Sequence, residues 1–240
     1  MELIVDAGNT RTKLAVFDGR DLIKLLVTEH HVSAKVMEEL AAYTLNRIFI
    51  STVRNDESSQ LRLWSELAPT QLFTAATKLP INNAYSTPET LGKDRIAGVI
   101  GARNHFEEGP ILSIDIGTCI TYDILTSENA YLGGNITPGI DLRYKAMNTF
   151  TGALPLVEDK ENSDLYGQST ITSMSSGVLN GIVYEMEGFI TNYEVEFPGL
   201  HVVLTGGDSL HFANRLKKKI FADPNLVLTG LHRILKFNEV

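Results

Sequence analysis

The chain has 240 residues, 43% of them apolar, and a formal net charge of −8 at pH 7. This is enough for one large domain or two small ones with buried cores. The acidic balance argues against a nucleic-acid-binding surface, which needs clustered lysine and arginine. The single cysteine excludes an internal disulfide, and no apolar run has the length of a membrane helix. The N-terminal MELIVDAGN is also unlike a signal peptide, so we expect a cytoplasmic protein with no membrane or nucleic-acid partner.

The first half alternates predicted strands with predicted helices. Strand patterns, including a hairpin signal at Asp18-Gly19, occupy residues 3–5, 12–17, 22–27, 47–51 and 72–73. Helical spacing occupies residues 32–43, 58–67 and 94–104. The polar run LPINNAYSTPETLG at 79–92 predicts a surface loop before the last of these helices.

The second half repeats the order of the first. Predicted strands occupy residues 111–114, 120–125, 131–136 and 201–204, and predicted helices occupy 140–150, 169–193, 210–220 and 231–237. Asp6, Gly8 and Thr12 recur at a constant offset as Asp115, Gly117 and Thr121. The sequence therefore predicts an α/β protein of two duplicated halves, 1–108 and 109–240, each a mixed sheet flanked by helices.

The stretch DAGNTRTK at 6–13 has the chemistry of a phosphate-binding hairpin. Asp6, at the end of a strand, can hold a hydrated divalent cation that bridges phosphates. Gly8 permits a tight turn whose N–H faces a phosphate oxygen. Further donors are Asn9, Thr10, Thr12 and Lys13. An ordinary polar hairpin turn is the alternative, but a second copy, DIGTCITYD at 115–123, favours a nucleotide held from both sides of a cleft.

The stretch TLGKDRIAG places Asp94 and Arg95 where a loop enters a helix. A carboxylate at this point can accept the proton of a substrate hydroxyl that attacks a phosphoryl group. An adjacent arginine can bind a carboxylate or stabilise phosphoryl charge. The alternative is an acid favoured by the helix dipole, followed by an exposed arginine.

Taken together, these motifs resemble a known superfamily and one family within it. Two such hairpins, each heading a ribonuclease-H-like half, resemble the acetate and sugar kinase, heat-shock chaperone and actin group, with a nucleotide cleft between the halves. The ordered set DAGNTRTK, LGKDR, DIGTCITYD, GGNITPGI and LPLV resembles the type III pantothenate kinases. The resemblance implies ATP-dependent phosphorylation of pantothenate, the first step of coenzyme A biosynthesis, by a homodimer that uses Mg²⁺ and K⁺ or NH₄⁺.

The same resemblance implies a role for each matching residue. Asp94 is the general base, and the pantothenate pocket comprises Tyr85, Gly92, Lys93, Asp94, Arg95 and Thr170. The implied ATP contacts are Asp6, Ala7, Gly8, Asn9, Thr10, Arg11, Thr12, Lys13 and Thr118. Asp115 binds the monovalent cation or, alternatively, is a second nucleotide-site acid. The acceptor site lies at the subunit interface.

Several alternatives stay open from the sequence. Ser169 or Thr170 can simply cap the long helix, and Cys119 is expected to be a buried, inert thiol. TGGD at 205–208 matches the family's adenosine segment, although a Gly-Gly turn after a strand is common. A non-catalytic accessory protein for gene expression and a kinase for another small hydroxy acid or sugar share this fold class, and fold alone does not separate them.

Overall fold

The computed structural model describes residues 1–8, 10–29, 32–54, 57–158, 160–161, 164–218 and 220–239. The chain divides into two compact units, the first comprising Met1–Asn104 with Leu226–Val240 and the second His105–Asn225. Within the described residues, no helix combines the length and the apolar character needed to span a bilayer.

The elements are named in chain order. The strands are β1 (Glu2–Ala7), β2 (Thr12–Asp18), β3 (Asp21–Thr28), β4 (Arg47–Thr52), β5 (Thr70–Leu72), β6 (Asn82–Asn83), β7 (Ile111–Ile116), β8 (Cys119–Leu125), β9 (Ala130–Pro138), β10 (His201–Thr205) and β11 (Phe221–Ala222). The helices are α1 (Ala34–Ala41), α2 (Glu57–Ser65), α3 (Lys93–Ala102), α4 (Ile140–Phe150), α5 (Thr170–Glu196), α6 (Ser209–Ala213) and α7 (Leu226–Phe237). A 3₁₀ turn, Pro88–Thr90, precedes α3.

The first unit is built on a mixed sheet with strand order β3-β2-β1-β4-β5. The first three strands form an antiparallel meander, whereas β4 and β5 run parallel to β1. Strand β1 is apolar over almost its whole length because both of its faces are buried. One face packs against α1 and α2 around the fully buried Trp64, and α7 contacts β1 and β4.

Strands of the second unit follow the same plan in the order β9-β8-β7-β10-β11. Here too the first three strands, β7 to β9, form an antiparallel meander, and β10 and β11 run parallel to β7. Its core joins β7 and β8 to α4 and to the apolar face of α5, whose first turn is closed by a capping box between Ser169 and Thr172. The predicted α/β class and the duplication into two mixed sheets flanked by helices are therefore confirmed.

The two hairpins differ in register. Asp6 pairs with Lys13 across the first hairpin, whereas Asp115 pairs with Thr121 across the second. The second turn is shorter, because β8 begins at Cys119, directly after Gly117 and Thr118. Thr121 consequently occupies the position of Lys13 rather than of Thr12, although Thr12 and Thr121 share the same sequence offset.

The division of the chain differs from the predicted 1–108 and 109–240 because α7 belongs to the first unit. Helices α3 and α7 cross where glycines let their backbones touch: a Cβ on Gly230 would lie 1.8 Å from the carbonyl oxygen of Ala97. On the same helix, His232 and Lys236 both pair with Glu2 of β1, at 3.1 and 2.7 Å. The predicted helix at 210–220 is also shorter, because α6 ends at Ala213 and β11 follows.

We predict that Gly230→Ala destabilises the protein by about 1–3 kcal/mol, because the added methyl group forces α3 and α7 apart. Gly188→Ala is a matched control, since Gly188 is an exposed helical glycine whose Cβ would meet nothing within 4 Å. This control should be neutral or stabilising by about 0.5–1 kcal/mol. Urea denaturation of both variants measures the difference, and equal midpoints would contradict the close helix crossing.

Candidate functional site

The carboxyl ends of β1 and β4 lie side by side in the first unit. Parallel pairing sets Asp6 opposite Ser51 and Ala7 opposite Thr52. Ser51 and Thr52 are buried, whereas Asp6 keeps partial access to solvent. Because neighbouring parallel strands end at one edge of a sheet, ligands of α/β proteins commonly bind there.

The first hairpin turn joins β1 to β2, and Asp6 and Lys13 pair across these two strands. The N–H of Gly8 donates to the carbonyl oxygen of Arg11 at 3.0 Å, and a Cβ on Gly8 would lie only 3.2 Å from that oxygen. Thr10 and Arg11 are exposed, and Lys13 is partly buried. The Gly8 N–H is thus bonded within the turn and not directed at a phosphate as predicted, whereas Thr10, Arg11 and Lys13 present groups that a ligand can reach.

Two predicted ATP contacts have side chains that are buried in the first unit. Ala7 is fully buried in the core, so only its backbone is available to a ligand. Thr12 is also buried, and its hydroxyl oxygen accepts a hydrogen bond from Arg54. Asn9, also predicted to contact ATP, lies outside the residues that the structure describes.

Arg54, which the sequence analysis did not single out, follows β4 and reaches the hairpin. Its Nε donates to the carbonyl oxygen of Gly8 at 2.8 Å, and its Nη2 donates to Thr12 Oγ1 at 3.0 Å. The only sequence signal for Arg54 is its position, as a basic residue just beyond the carboxyl end of a parallel strand.

The amino end of α3 belongs to the same unit and carries the predicted base. Gly92 precedes the helix, and Asp94 lies in its first turn, where the helix dipole favours a negative charge. Asp94 Oδ1 accepts a hydrogen bond from the N–H of Arg95 at 2.9 Å. A Cβ on Gly92 would lie 2.5 Å from that oxygen, so a larger residue at position 92 would displace the Asp94 carboxylate from this position.

Asp6 and Asp94 interact electrostatically. Burial, reinforced by the negative charge of Asp94, raises the pKa of Asp6 to about 6, although Lys13 and Arg54 act in the opposite direction. Nearby, the ammonium of Lys93 donates to the carbonyl oxygen of Thr52 at 3.4 Å. The structure therefore brings the predicted phosphate hairpin and the predicted base into one cluster of acids and cations.

Arg95 and Tyr85 lie beside this cluster in the first unit. The guanidinium of Arg95 lies 5.7 Å from the centre of the Tyr85 ring, a cation–π arrangement. Arg95 is only 7% exposed, which contradicts the alternative of a solvent-exposed arginine. Tyr85 is half-buried, so the pair can present both a positive charge and an aromatic face to a ligand.

In the second unit, Asp115 lies at the carboxyl end of β7 beside the glycines of TGGD. Thr205, the last residue of β10, is its strand partner. Gly206 has φ +95°, and a Cβ there would lie 2.4 Å from Asp115 Oδ1 and 2.4 Å from the carbonyl oxygen of Ile116. Glycine at position 206 therefore permits the close approach of this turn to Asp115.

The second hairpin turn packs against the start of α4. The N–H of Gly139 donates to the carbonyl oxygen of Thr118 at 3.0 Å, and Thr118 has an exposed side chain. Cys119 is exposed rather than buried, because it begins β8 on the outer face while Ile120 points into the core. The expectation of a buried thiol was wrong.

Thr170 is the exposed first residue of α5, and Ser169 is the helix cap. Thr170 lines a groove of about 790 Å³ between α4 and α5 in the second unit. Most groove residues are apolar, including Leu142, Met147 and Met174. Thr170 and Ser173 add hydroxyl groups to the groove, and Arg143 adds a cation.

The described residues hold no group of three or more His, Cys, Asp or Glu side chains that could bind a metal ion. Magnesium bound to nucleotide phosphates is typically held by one or two carboxylates and water. The partly buried carboxylate of Asp6, next to the negative charge of Asp94, fits such an ion because a cation would offset the repulsion.

Comparison with known proteins places the chain among kinases. A family model described as type III pantothenate kinase matches residues 2–192. A type III pantothenate kinase of Phocaeicola vulgatus is 43% identical over 242 aligned positions, covering 100% of this chain and 99% of that protein. The family implies ATP as phosphoryl donor, together with a divalent metal.

Solved structures share the fold. A Campylobacter jejuni protein, provisionally described as a Baf family transcriptional activator, has a TM-score of 0.65 and 24% identity over 98% of both chains. A polyphosphate/ATP-glucomannokinase from Arthrobacter has a TM-score of 0.53 and 13% identity over 100% of both chains. At these identities, the likeness is one of fold.

We predict that Asp6→Asn stabilises the ligand-free protein at pH 7.5 and that the gain disappears near pH 4. Because folding raises the pKa of Asp6 from 3.8 to about 6, the wild type loses stability as the pH rises through this window. The asparagine variant escapes this loss, which amounts to about 3 kcal/mol at most.

Urea denaturation in EDTA, at both pH values, measures this difference. Asp21→Asn is the control, since Asp21 is exposed at the start of β3 and should show no such trend. A difference between Asp6→Asn and wild type that does not change with pH would contradict the raised pKa.

Proposed function

The chain belongs to the type III pantothenate kinase family, and we propose on this premise that it phosphorylates the primary hydroxyl of pantothenate with ATP. The product, 4′-phosphopantothenate, is the first intermediate of coenzyme A biosynthesis. The observation that carries the assignment of roles is the gathering of Asp6, Lys13 and Asp94 in one electrostatic cluster of the first unit.

In the proposed reaction, the hydroxyl oxygen of pantothenate bonds to the γ-phosphorus as the bond from phosphorus to the β–γ bridging oxygen breaks. Asp94 accepts the hydroxyl proton, and ADP leaves with the bridging oxygen. Lys13 and the exposed turn residues Thr10 and Arg11 bind the phosphates, because the N–H of Gly8 is bonded within the turn. Asp6 would hold Mg²⁺ through water, and the ion would supply positive charge to the phosphates.

We assign the acceptor pocket to Tyr85, Gly92, Lys93, Arg95 and Thr170. The buried guanidinium of Arg95 has the charge and planar shape to bind the pantothenate carboxylate. Lys93 extends from the same helix end and adds a second positive charge. Thr118, on the exposed turn of the second hairpin, is assigned to the nucleotide.

Asp115 is assigned to K⁺ or NH₄⁺. Its carboxylate and the carbonyl oxygen of Ile116 both lie near Gly206, and oxygen atoms of these kinds are suitable ligands for K⁺. Replacing K⁺ by Na⁺ in the assay tests this assignment, because turnover should fall in the wild type. We place the reaction in the cytoplasm, which supplies ATP.

We further propose that the enzyme acts as a homodimer with its acceptor site at the subunit interface, as the family resemblance implies. The α4/α5 groove and exposed apolar side chains such as Ile171 and Tyr184 on α5 support this face as the contact. Thr170, which lines the groove, would then complete the pocket of the other subunit.

Asp94→Asn should lower turnover at least 100-fold, because an amide cannot accept the proton. A coupled assay of ADP formation with pantothenate, ATP, Mg²⁺ and K⁺ measures the loss, and calorimetry should show that ATP still binds. Glu89→Gln, in the exposed turn before α3, is the control and should retain wild-type turnover.

Two outcomes of this assay would contradict the proposal. Wild-type protein that binds ATP but yields no phosphopantothenate would point to an accessory role or to another acceptor, which a panel of hydroxy acids and sugars would identify. If Asp94→Asn retained more than a tenth of the wild-type turnover, Asp94 would not be the general base.

Subunit complementation tests the shared acceptor site. Asp94→Asn and Thr170→Glu should each be inactive, the latter because its carboxylate repels the acid substrate. Mixed after dissociation, they should recover about a quarter of wild-type activity, since half of the random dimers carry one intact site. Sedimentation must show dimers, and a mixture as inactive as its components would contradict the shared site.

A further inference from the structure

The guanidinium of Arg54 spans the first hairpin turn. Gly8 begins the turn and Thr12 is the first residue of β2 after it, and Arg54 donates a hydrogen bond to each. One side chain therefore joins the two ends of the segment that is assigned to the ATP phosphates.

Arg54 is itself anchored at the end of β4. Its backbone N–H donates to Thr52 Oγ1 at 3.0 Å, and the Thr52 hydroxyl belongs to a buried side chain. Because β4 pairs with β1 in parallel along its whole length, this anchor belongs to the sheet that carries Asp6. The hairpin turn is thus fixed to the sheet both through its strands and through Arg54.

This contact requires a planar side-chain group with two N–H donors in fixed directions. The Nε and Nη2 atoms of Arg54 reach acceptors four residues apart in the chain, a backbone carbonyl and a side-chain hydroxyl. A lysine has a single ammonium on a flexible stem and cannot reproduce two fixed donor directions. The geometry therefore favours arginine at position 54 for its shape as well as for its charge.

We propose that Arg54 is a positioning residue for the nucleotide, an inference that rests on the proposed function. It fixes Gly8 and Thr12, which flank the turn, so that Thr10 and Arg11 between them are held near the phosphates' position before ATP binds. Pre-organisation of this kind reduces the conformational entropy that the turn loses when ATP binds, and so raises the affinity for ATP. The acceptor pocket should be unaffected.

The test compares Arg54→Met and Arg54→Lys with Arg62→Met, an exposed arginine on α2 of the same unit. The KM for ATP should rise about 10- to 100-fold in Arg54→Met and less in Arg54→Lys. The KM for pantothenate should stay within about twofold of wild type in all three variants. A merely structural role would instead lower the active fraction, and hence kcat, with both KM values unchanged.

Calorimetric titration with a non-hydrolysable ATP analogue and Mg²⁺ provides a second readout that needs no turnover. If the wild type binds the analogue but does not phosphorylate pantothenate, the proposed function fails while the role of Arg54 is still measured. Binding by Arg54→Met within twofold of wild type, or an equal loss in Arg62→Met, would overturn the inference.

Thr12→Val keeps the test decisive if Arg54→Met does not fold. This variant removes the acceptor of Nη2 with little change in shape, and a double-mutant cycle with Arg54→Lys isolates the coupling. The two substitutions should weaken analogue binding less than additively, because both break the same contact. Strict additivity would overturn the inference.

Discussion

The parallel pairing of β1 with β4 is the constraint on which the site of the first unit depends. It sets the ends of two strands, distant in the chain, at one edge, where Asp6 stands opposite Ser51 and Arg54 follows Thr52. Helix α3 then adds Asp94, close enough for its charge to raise the pKa of Asp6. The sheet, which carries Asp6, and helix α3, which packs on β4 and carries Asp94, thus hold two acids that repel each other at short range.

The second unit uses the same pairing, between β7 and β10, for a different arrangement of groups. Its acid, Asp115, faces a threonine across the hairpin, where the first unit has a lysine. Glycine at position 206 then lets the turn after β10 lie close to the Asp115 carboxylate and to the carbonyl oxygen of Ile116. The two units therefore share a strand plan but differ in the charge of their hairpins, because the first carries Arg11 and Lys13 where the second carries Thr118 and Thr121.

Local patterns were sufficient to predict much of this fold. The two hairpins and the long helix with its Ser169 cap depend on neighbouring residues, and they appear where the sequence placed them. The local motifs also identified Asp6, Lys13 and Asp94 as candidate site residues. The resemblance to a kinase family came from their order along the chain.

Features that depend on distant contacts were missed. The partners of Arg54 lie 42 and 46 residues earlier, so no local pattern shows that it reaches the hairpin. The return of α7 to the first unit depends on Gly101 and Gly230, which look unremarkable in their own segments. Exposure of Cys119 follows from the short second turn, which sets the inward and outward alternation of β8.

The placement of α7 has a consequence for biosynthesis on the ribosome. The first unit starts the chain, but α3 gains its helical partner only after residues 226–237 have been translated, later than the entire second unit. An emerging nascent chain therefore exposes the apolar surface of α3 for most of its synthesis, while the second unit has all of its elements beforehand. The half that is made first is the half that is completed last.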